Sequence, residues 1–211
     1  TDLNKYCKQL GLGAETGVEI GESTGILAGP EYADRVGKTW NAGDTIQAAI
    51  GQSDNNFTPL QLAQYTATLA SGGTRYKNHL IKSICSYSLN KTVKSDFISV
   101  LNQTDISADA YRAVKEGMLR VTEDGTAHAT FGDYSIKVAG KTGTAQSSSG
   151  IDNAVFIGFA PYDDPEIAIS IIIENGGHGS TIAPGAKSIF DAYFYNLNDV
   201  YIGQETNTLL P

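Results

Sequence analysis

Two apolar runs, Ala154 to Ala160 and Ile167 to Ile173, constrain the fold of this chain more than any other feature. The second run is isoleucine interrupted only by Ala168 and Ser170, which is typical of a β-strand covered on both faces. The alternating stretch from Tyr134 to Ala139 predicts a further strand. Because the spacing between these strands is short, they are predicted to be antiparallel neighbours in one sheet.

Helical signals occur on both sides of these strands. The clearest is at Thr58-Pro59, where a Thr N-cap precedes a Pro at the first helical position, and Gly72-Gly73 ends the helix. Another short helix is predicted within residues 1–12. A third follows Ser107, and its predicted inner face comprises Tyr111, Val114, Met118 and Val121. A closing helix begins at Ala183-Pro184, and its residues available to pack on the sheet are Ile189, Phe190, Tyr193 and Phe194.

Two of the segments that connect these elements differ in composition. The stretch from Gly17 to Asp44 contains six glycines, one proline and no sustained period, so we expect an irregular excursion over the surface. The stretch from His79 to Val100 contains β-branched residues on both sides of Ser88-Leu89-Asn90-Lys91, which predicts a hairpin or a pair of edge strands. The sequence therefore predicts an α+β fold in which helices flank an antiparallel sheet.

Size and charge exclude several classes of protein. A chain of 211 residues with 41% hydrophobic and 18% charged residues has the composition of one soluble globular domain. Its net charge of -8 disfavours nucleic acid and anionic membrane surfaces as partners. It has no apolar run of the ~18 residues that a membrane span needs. Because it starts at Thr1 without a signal peptide, we expect a chain that begins within a longer protein or has been processed.

The cysteines and histidines do not suggest a metal site. Cys7 and Cys85 are most simply two buried or half-buried thiols, and a single disulfide is the alternative. His79, His128 and His178 never approach the spacing of paired metal ligands. We therefore expect neither a metal nor a cofactor.

The densest unusual stretch is the run from Ala139 to Gln146, which contains Lys141-Thr142-Gly143-Thr144. A cation, two hydroxyls and two glycines close together can receive a carboxylate or an oxyanion, because glycine permits close approach to the backbone. The alternative is a strand whose Lys141 is simply solvated. Residues 135–142 also approach the phosphate-loop pattern, but Ser135 replaces its first glycine and no helix is predicted after Thr142.

Further segments accompany this run in a defined order. In chain order they are Ile50-Gly51-Gln52, Thr58-Pro59-Leu60-Gln61-Leu62-Ala63, Gly125-Thr126-Ala127, Val155-Phe156-Ile157-Gly158-Phe159-Ala160-Pro161 and Glu174-Asn175-Gly176-Gly177-His178-Gly179. Together with Lys141-Thr142-Gly143 they resemble the transpeptidase domain of class B penicillin-binding proteins of the elongation type. The resemblance covers essentially all 211 residues. It implies a serine β-lactamase and penicillin-binding-protein transpeptidase-like fold, of which residues 1–211 form the C-terminal portion of a single domain, incomplete at its N-terminal side.

The resemblance implies roles for the matching residues. Lys141 lines the cleft beside the nucleophile, and the N–H of Thr144 is one of two donors in the oxyanion hole. Thr142 and Thr144 offer hydroxyls to the terminal carboxylate of the substrate. Gly143 keeps the strand edge bare for an extended peptide. The implied catalytic residues are thus Lys141 and Thr144, and the implied substrate-binding residues are Thr142, Gly143 and Thr144.

The family's nucleophile is not found in a suitable context. Its Ser-x-x-Lys and Ser-x-Asn elements both precede Lys-Thr-Gly, but here Ser88 to Lys91 lies in a predicted turn and Ser53-Asp54-Asn55 lies in a predicted loop. A lysine must follow the serine by one helical turn to reach its hydroxyl. We therefore expect that both elements lie outside this chain and that the 211 residues alone are inactive.

The implied activity is that of a serine-type D,D-transpeptidase that cross-links peptidoglycan through an acyl-serine intermediate. The alternatives are a relative that hydrolyses or senses β-lactams, and a noncatalytic module that binds cell-wall peptide. The implied ligands are stem peptides ending in D-Ala-D-Ala and β-lactams, and the implied partners are cell-wall elongation proteins. The implied location is extracytoplasmic, with attachment to the cell membrane only through an anchor outside this chain.

Overall fold

The structure, a computed structural model, describes residues 2–89, 91–147 and 150–195. Its helices are α1 (Asp2–Gln9), α2 (Pro30–Arg35), α3 (Ala42–Ala49), α4 (Pro59–Ala70), α5 (Ala108–Glu123), α6 (His128–Phe131) and α7 (Ala183–Phe194), with a 3-10 helix at Gly179–Ile182. Its strands are β1 (Thr74–Tyr76), β2 (Ile84–Cys85), β3 (Thr92–Lys94), β4 (Val100–Gln103), β5 (Ala139–Ala145), β6 (Asn153–Ala160) and β7 (Ile167–Ile173).

An antiparallel sheet of β5, β6 and β7, in that order, forms the centre of the fold. One face packs against α6, α7 and the 3-10 helix around the fully buried Phe156 and Phe190. The other face packs against α4 and α5 through Phe159, Leu69 and Met118. The predicted α+β fold with an antiparallel sheet between helices is confirmed.

The predicted helices at the N-terminus, at Thr58-Pro59, at Ser107 and at Ala183-Pro184 correspond to α1, α4, α5 and α7. The Thr58 side chain accepts a hydrogen bond from the Gln61 amide, and the Gln61 side chain accepts one from the Thr58 amide. This capping box fixes where α4 begins. The predicted hairpin is also present, because β2 pairs with β3 in antiparallel register; Asn90, within its predicted turn, lies outside the described residues.

The predicted strand from Tyr134 to Ala139 is wrong, because β5 begins only at Ala139 and runs through Lys141-Thr142-Gly143. Glycine disfavours strands, but a Cβ at Gly140 would lie 2.7 Å from the ring of Phe156. The Phe156 ring therefore occupies the space that a side chain at position 140 would fill. Packing against β6 overrides the low strand propensity of this segment.

Three other predictions also need correction. The excursion from Gly17 to Asp44 contains α2 and the start of α3, because Pro30 opens one helix and Asn41 with Asp44 forms a capping box for the other. On α5, Val114 is exposed while Leu119 is buried, so the inner face is rotated from the predicted one. Ile189 on α7 is likewise exposed.

The cysteines are both free, which leaves no disulfide between them. Cys7 is half-buried as predicted, but Cys85 lies exposed on β2, so that part of the prediction is wrong. Among the residues described, no helix combines the length and apolarity needed to cross a bilayer.

Candidate active site on the edge of β5

The Lys-Thr-Gly run lies on an edge of the central sheet. Of the described strands, β5 pairs only with β6, in a register that places Lys141 opposite Ile157 and Thr142 opposite Phe156. Because side chains alternate along a strand, Lys141 and Gly143 belong to one face of the sheet, whereas Thr142 and Thr144 belong to the other. The predicted site residues are therefore brought together along one strand edge.

The main-chain groups of Thr142 and Thr144 point to the open side of this edge. The Lys141 ammonium donates to the carbonyl of Thr142, and the Gln52 side chain donates to the carbonyl of Thr144 at 3.2 Å. Both carbonyls thus accept from side chains rather than from the backbone of β6, which places them on the side of β5 away from β6. Since the N–H and C=O of a strand residue point to the same side, the N–H of Thr144 is also directed to the open edge.

The two threonine hydroxyls each have a neighbour on the opposite face. The Thr142 hydroxyl is buried and lies 2.7 Å from the Thr126 hydroxyl, and the Thr144 hydroxyl accepts a hydrogen bond of 3.1 Å from the amide of Gly179. A hydroxyl that makes one hydrogen bond retains capacity for another. These contacts therefore orient both side chains without exhausting their hydrogen bonds.

A groove of about 1140 Å³ adjoins this edge. It is lined by residues 50–59 together with Ile26, Leu62, residues 143–147, Asn153, Val155, Ile172 and Glu174. Its walls are thus partly apolar, and they include the sheet face that carries Gly143. Because Ile172 borders the groove and Ile173 is 47% exposed, the prediction that β7 is covered on both faces is wrong.

The geometry also tests the phosphate-loop pattern of residues 135–142. A phosphate loop requires a turn whose following helix directs N–H groups at the phosphates. Residues 139–145 instead form an extended strand, with Thr142 in its middle. The nucleotide-binding interpretation is therefore wrong. Lys141 is exposed on this strand, so the anion receptor and the solvated lysine both stay predictions.

Neither serine considered as a nucleophile lies in a helix. Ser53 is exposed in the loop between α3 and α4, in the left-handed region at φ 66. Ser88 lies in the β2–β3 turn, where the Ser86 amide donates to the Lys91 carbonyl. No lysine in the described residues thus follows either serine by one turn of helix, which confirms their predicted placement in a loop and a turn.

Sequence reasoning missed the parts played by Gln52, Thr126 and Gly179. Each belongs to a segment that carried the family resemblance, but nothing in one sequence shows that these segments, up to 92 positions apart, meet at Thr142 and Thr144. Their membership in the ordered set of motifs was the available signal.

Comparison with known proteins agrees with this geometry. The profile of the penicillin binding protein transpeptidase domain matches residues 1–194. The peptidoglycan D,D-transpeptidase MrdA of Acinetobacter baumannii is 35% identical over 206 residues, which cover 90% of this chain and 30% of that protein. The crystal structure of Pseudomonas aeruginosa PBP2 in complex with WCK 5153 superposes with a TM-score of 0.80 at 32% identity, over 92% of this chain and 43% of that one.

A third similar structure is the complex between PBP2 and MreC from Helicobacter pylori, with a TM-score of 0.74 at 29% identity over 90% of this chain and 35% of that one. The fold and the lysine-bearing strand edge define a penicillin-binding transpeptidase domain. The chain belongs to the penicillin-binding protein transpeptidase domain family, and within it resembles the MrdA and PBP2 type. It spans about 30% of the length of the curated relative from Acinetobacter baumannii.

Proposed function

We propose that residues 1–211 are the C-terminal portion of the transpeptidase domain of a D,D-transpeptidase that cross-links peptidoglycan stem peptides. The observation that carries this proposal is the open edge of β5, where Thr144 borders the large groove and the Lys141 ammonium donates to the neighbouring carbonyl of Thr142. In the reaction, a serine hydroxyl attacks the carbonyl between two D-alanines, and the terminal D-alanine leaves. An amine of a second stem peptide then displaces the serine and forms the cross-link.

Lys141 and Thr144 are the proposed catalytic residues on this chain. The Lys141 ammonium supplies positive charge beside the attacking hydroxyl and assists proton transfer. The N–H of Thr144 donates to the oxygen of the tetrahedral intermediate, where removal of one donor costs roughly 3–4 kcal/mol in comparable acyl-transfer enzymes. Because a donor fixed on a strand needs no reorganisation during the reaction, its effect is largest in the transition state.

Thr142, Gly143 and Thr144 are the proposed substrate-binding residues. The Thr142 and Thr144 hydroxyls lie on the same face and bind the terminal carboxylate of the stem peptide or of a β-lactam. Gly143 has no side chain, so an extended peptide can lie along the edge of β5. The reaction as proposed uses neither a metal nor a cofactor.

The attacking serine is proposed to come from polypeptide outside these 211 residues. The groove supports this proposal, because Leu62, Val155 and Ile172 give its walls apolar surface against which another element of the domain can pack. A helix there would stand beside the sheet face that includes Lys141 and Gly143. A serine on that helix would then approach the open edge of β5 from the side to which the Thr144 N–H points.

The proposed setting is the extracytoplasmic side of the cell membrane, with attachment through a segment outside this chain. The proposed ligands are stem peptides ending in D-Ala-D-Ala and β-lactams, and the proposed partners are elongation proteins. The MrdA relative supports the activity by its name, and the Helicobacter pylori PBP2 complex with MreC supports the class of partner.

A fluorescent penicillin tests the proposal directly. The 211-residue chain and a longer protein that joins it to the segment before Thr1 are incubated with the probe and compared on a denaturing gel. We expect covalent label on the longer protein and none on the 211 residues. Label on Ser53 or Ser88 of the short chain, or no label on the long one, would contradict the proposal. Rapid hydrolysis of the bound label by water would instead indicate a β-lactam-hydrolysing relative.

A further inference from the structure

We propose that Gln52 is a positioning residue that fixes Thr144 in the geometry needed for oxyanion binding, an inference that rests on the proposed function. The Gln52 Nε2 atom donates to the carbonyl of Thr144 at 3.2 Å, across 92 positions of sequence. This contact joins the loop between α3 and α4 to the catalytic edge of β5. Gln52 lines the groove, and its proposed role is exerted on the reacting atoms only through Thr144.

The loop presents Gln52 from a fixed backbone. The Gln52 amide donates to the carbonyl of Gln47 at 3.0 Å, and its own carbonyl accepts from the Asn55 side chain at 3.0 Å. The Asn55 side chain also donates to the carbonyl of Ala48 at 3.3 Å and accepts from the amide of Ala28 at 2.9 Å. Because both main-chain groups of Gln52 are hydrogen-bonded, its carboxamide reaches Thr144 from a defined position.

Thr144 depends on such a contact because its edge has no neighbouring strand among the described residues. A carbonyl on an unpaired edge lacks the ladder hydrogen bond that holds strands in register. Gln52 supplies that hydrogen bond to the carbonyl, and the amide of Gly179 holds the Thr144 hydroxyl at 3.1 Å. Residue 144 is thus fixed at its carbonyl and at its side chain, while its N–H stays directed to the open edge.

A fixed donor lowers the barrier because it is already oriented when negative charge develops. Loss of the Gln52 contact allows the Thr144 peptide group to rotate away from its productive orientation. The expected consequence is a slower chemical step with little change in substrate binding. This separates a positioning role from a role in holding the substrate.

The test uses single-turnover acylation of the longer, serine-containing protein by a fluorescent penicillin. Removing an oxyanion donor outright costs 10²–10³-fold, so loss of its positioning in Gln52→Ala should lower the maximal acylation rate by about 10-fold. The half-saturating penicillin concentration should stay within about 2-fold. Gln47→Ala is the matched control, because Gln47 is an exposed residue of α3, and its acylation should equal that of the wild type.

Gln52→Glu gives a readout that loss of folding would not produce. A carboxylate cannot donate to the Thr144 carbonyl, whereas a protonated carboxyl group can. The acylation rate of Gln52→Glu relative to wild type should therefore be low at pH 8 and recover as the pH falls through about 4.3, the ordinary pKa of a glutamate side chain. Because the acylation rate of Gln52→Glu is compared with that of wild type at each pH, the ratio of the two rates tests the positioning role even if Gln52→Ala does not fold.

The outcomes separate this inference from the proposed function. If the wild-type protein is not acylated, the proposed function fails and the inference fails with it. If the wild type is acylated but both Gln52 variants match it at every pH, only the positioning role is overturned. A uniform loss of rate that does not recover on acidification, or an equal loss in Gln47→Ala, also overturns it.

Discussion

Gly179 lies directly against the backbone of Gly143, so closely that a Cβ on Gly179 would stand 2.1 Å from the Gly143 carbonyl oxygen. Real Cβ atoms do not approach backbone oxygen so closely, and a backbone atom cannot rotate away as a side chain can. The turn that begins the 3-10 helix and the Lys-Thr-Gly strand can therefore pack together only with glycine at position 179. The amide of the same residue holds the Thr144 hydroxyl.

Gly179→Ala should displace β5 and lower the stability of the chain. Overpacking at a close contact costs about 1–3 kcal/mol, and we expect a loss in that range for the free energy of unfolding in urea. Gly185→Ala in α7 is the matched control, since a Cβ there meets no neighbouring atom. It should be neutral or stabilise by up to about 1 kcal/mol. Equal stability of Gly179→Ala and wild type would refute the close-contact account.

The core beneath the Lys-Thr-Gly strand should depend strongly on Phe156. This residue is fully buried, and its ring fills the space above Gly140. Phe156→Ala should lower the free energy of unfolding by about 3–5 kcal/mol, because the substitution loses apolar burial and leaves a cavity. Tyr87→Ala removes an aromatic ring of similar size from a fully exposed position, and its effect should stay within about 0.5 kcal/mol. Similar losses in the two variants would contradict the assigned core.

Acidification should destabilise the loop at Thr16 and Gly17, whose backbone amides donate hydrogen bonds to the Glu22 carboxylate. Burial acts to raise the pKa of Glu22, but hydrogen bonds from Thr16 and Gly17 outweigh it and hold the pKa below its ordinary value. A carboxyl group with a depressed folded-state pKa stabilises the fold above its unfolded pKa of about 4.3, and this contribution disappears as the pH falls through the lower folded-state pKa.

Urea midpoints measured from pH 7 to pH 2.5 test this linkage. The wild type should lose more stability on acidification than Glu22→Gln, whose neutral amide does not titrate. Thr16→Val removes one of the donors and should fall between the two. Parallel pH profiles for wild type and Glu22→Gln would show that the carboxylate contributes nothing to the pH dependence.

The two thiols should differ in reactivity. Cys85 is exposed on β2, whereas Cys7 is half-buried and burial raises the pKa of its thiol. Since the thiolate is the reactive form, Ellman's reagent should modify Cys85 first and Cys7 much more slowly. Cys85→Ser should remove the fast phase alone. Failure of both thiols to react until a reductant is added would indicate a disulfide instead.

Patterns that lie within one element predicted the fold well. The isoleucine run gave the bounds of β7, and Thr58-Pro59 gave the start of α4, because strand apolarity and helix capping are local properties. The start of β5 was not predicted from Tyr134 to Val138, since its position depends on how Phe156 packs on Gly140. Distant packing of this kind leaves no periodic signal in the strand itself.

The candidate site likewise contains residues that one sequence can identify and residues that only the fold reveals. The run from Lys141 to Thr144 stands out by its composition alone, so one sequence suffices to find it. Gln52 and Gly179 act on Thr144 through contacts between segments far apart in the sequence. A glutamine in a loop and a glycine at the start of a 3-10 helix carry no chemical signature, and only the fold brings them to the strand edge.

The position of an acyl group on the enzyme tests the account most directly. A crystal structure of the longer, serine-containing protein after reaction with penicillin would show where the ester carbonyl oxygen lies. The account predicts this oxygen at about 2.7–3.1 Å from the Thr144 nitrogen, as required of an oxyanion donor. An acyl carbonyl that points away from the edge of β5, or an adduct on a serine remote from Lys141, would contradict it.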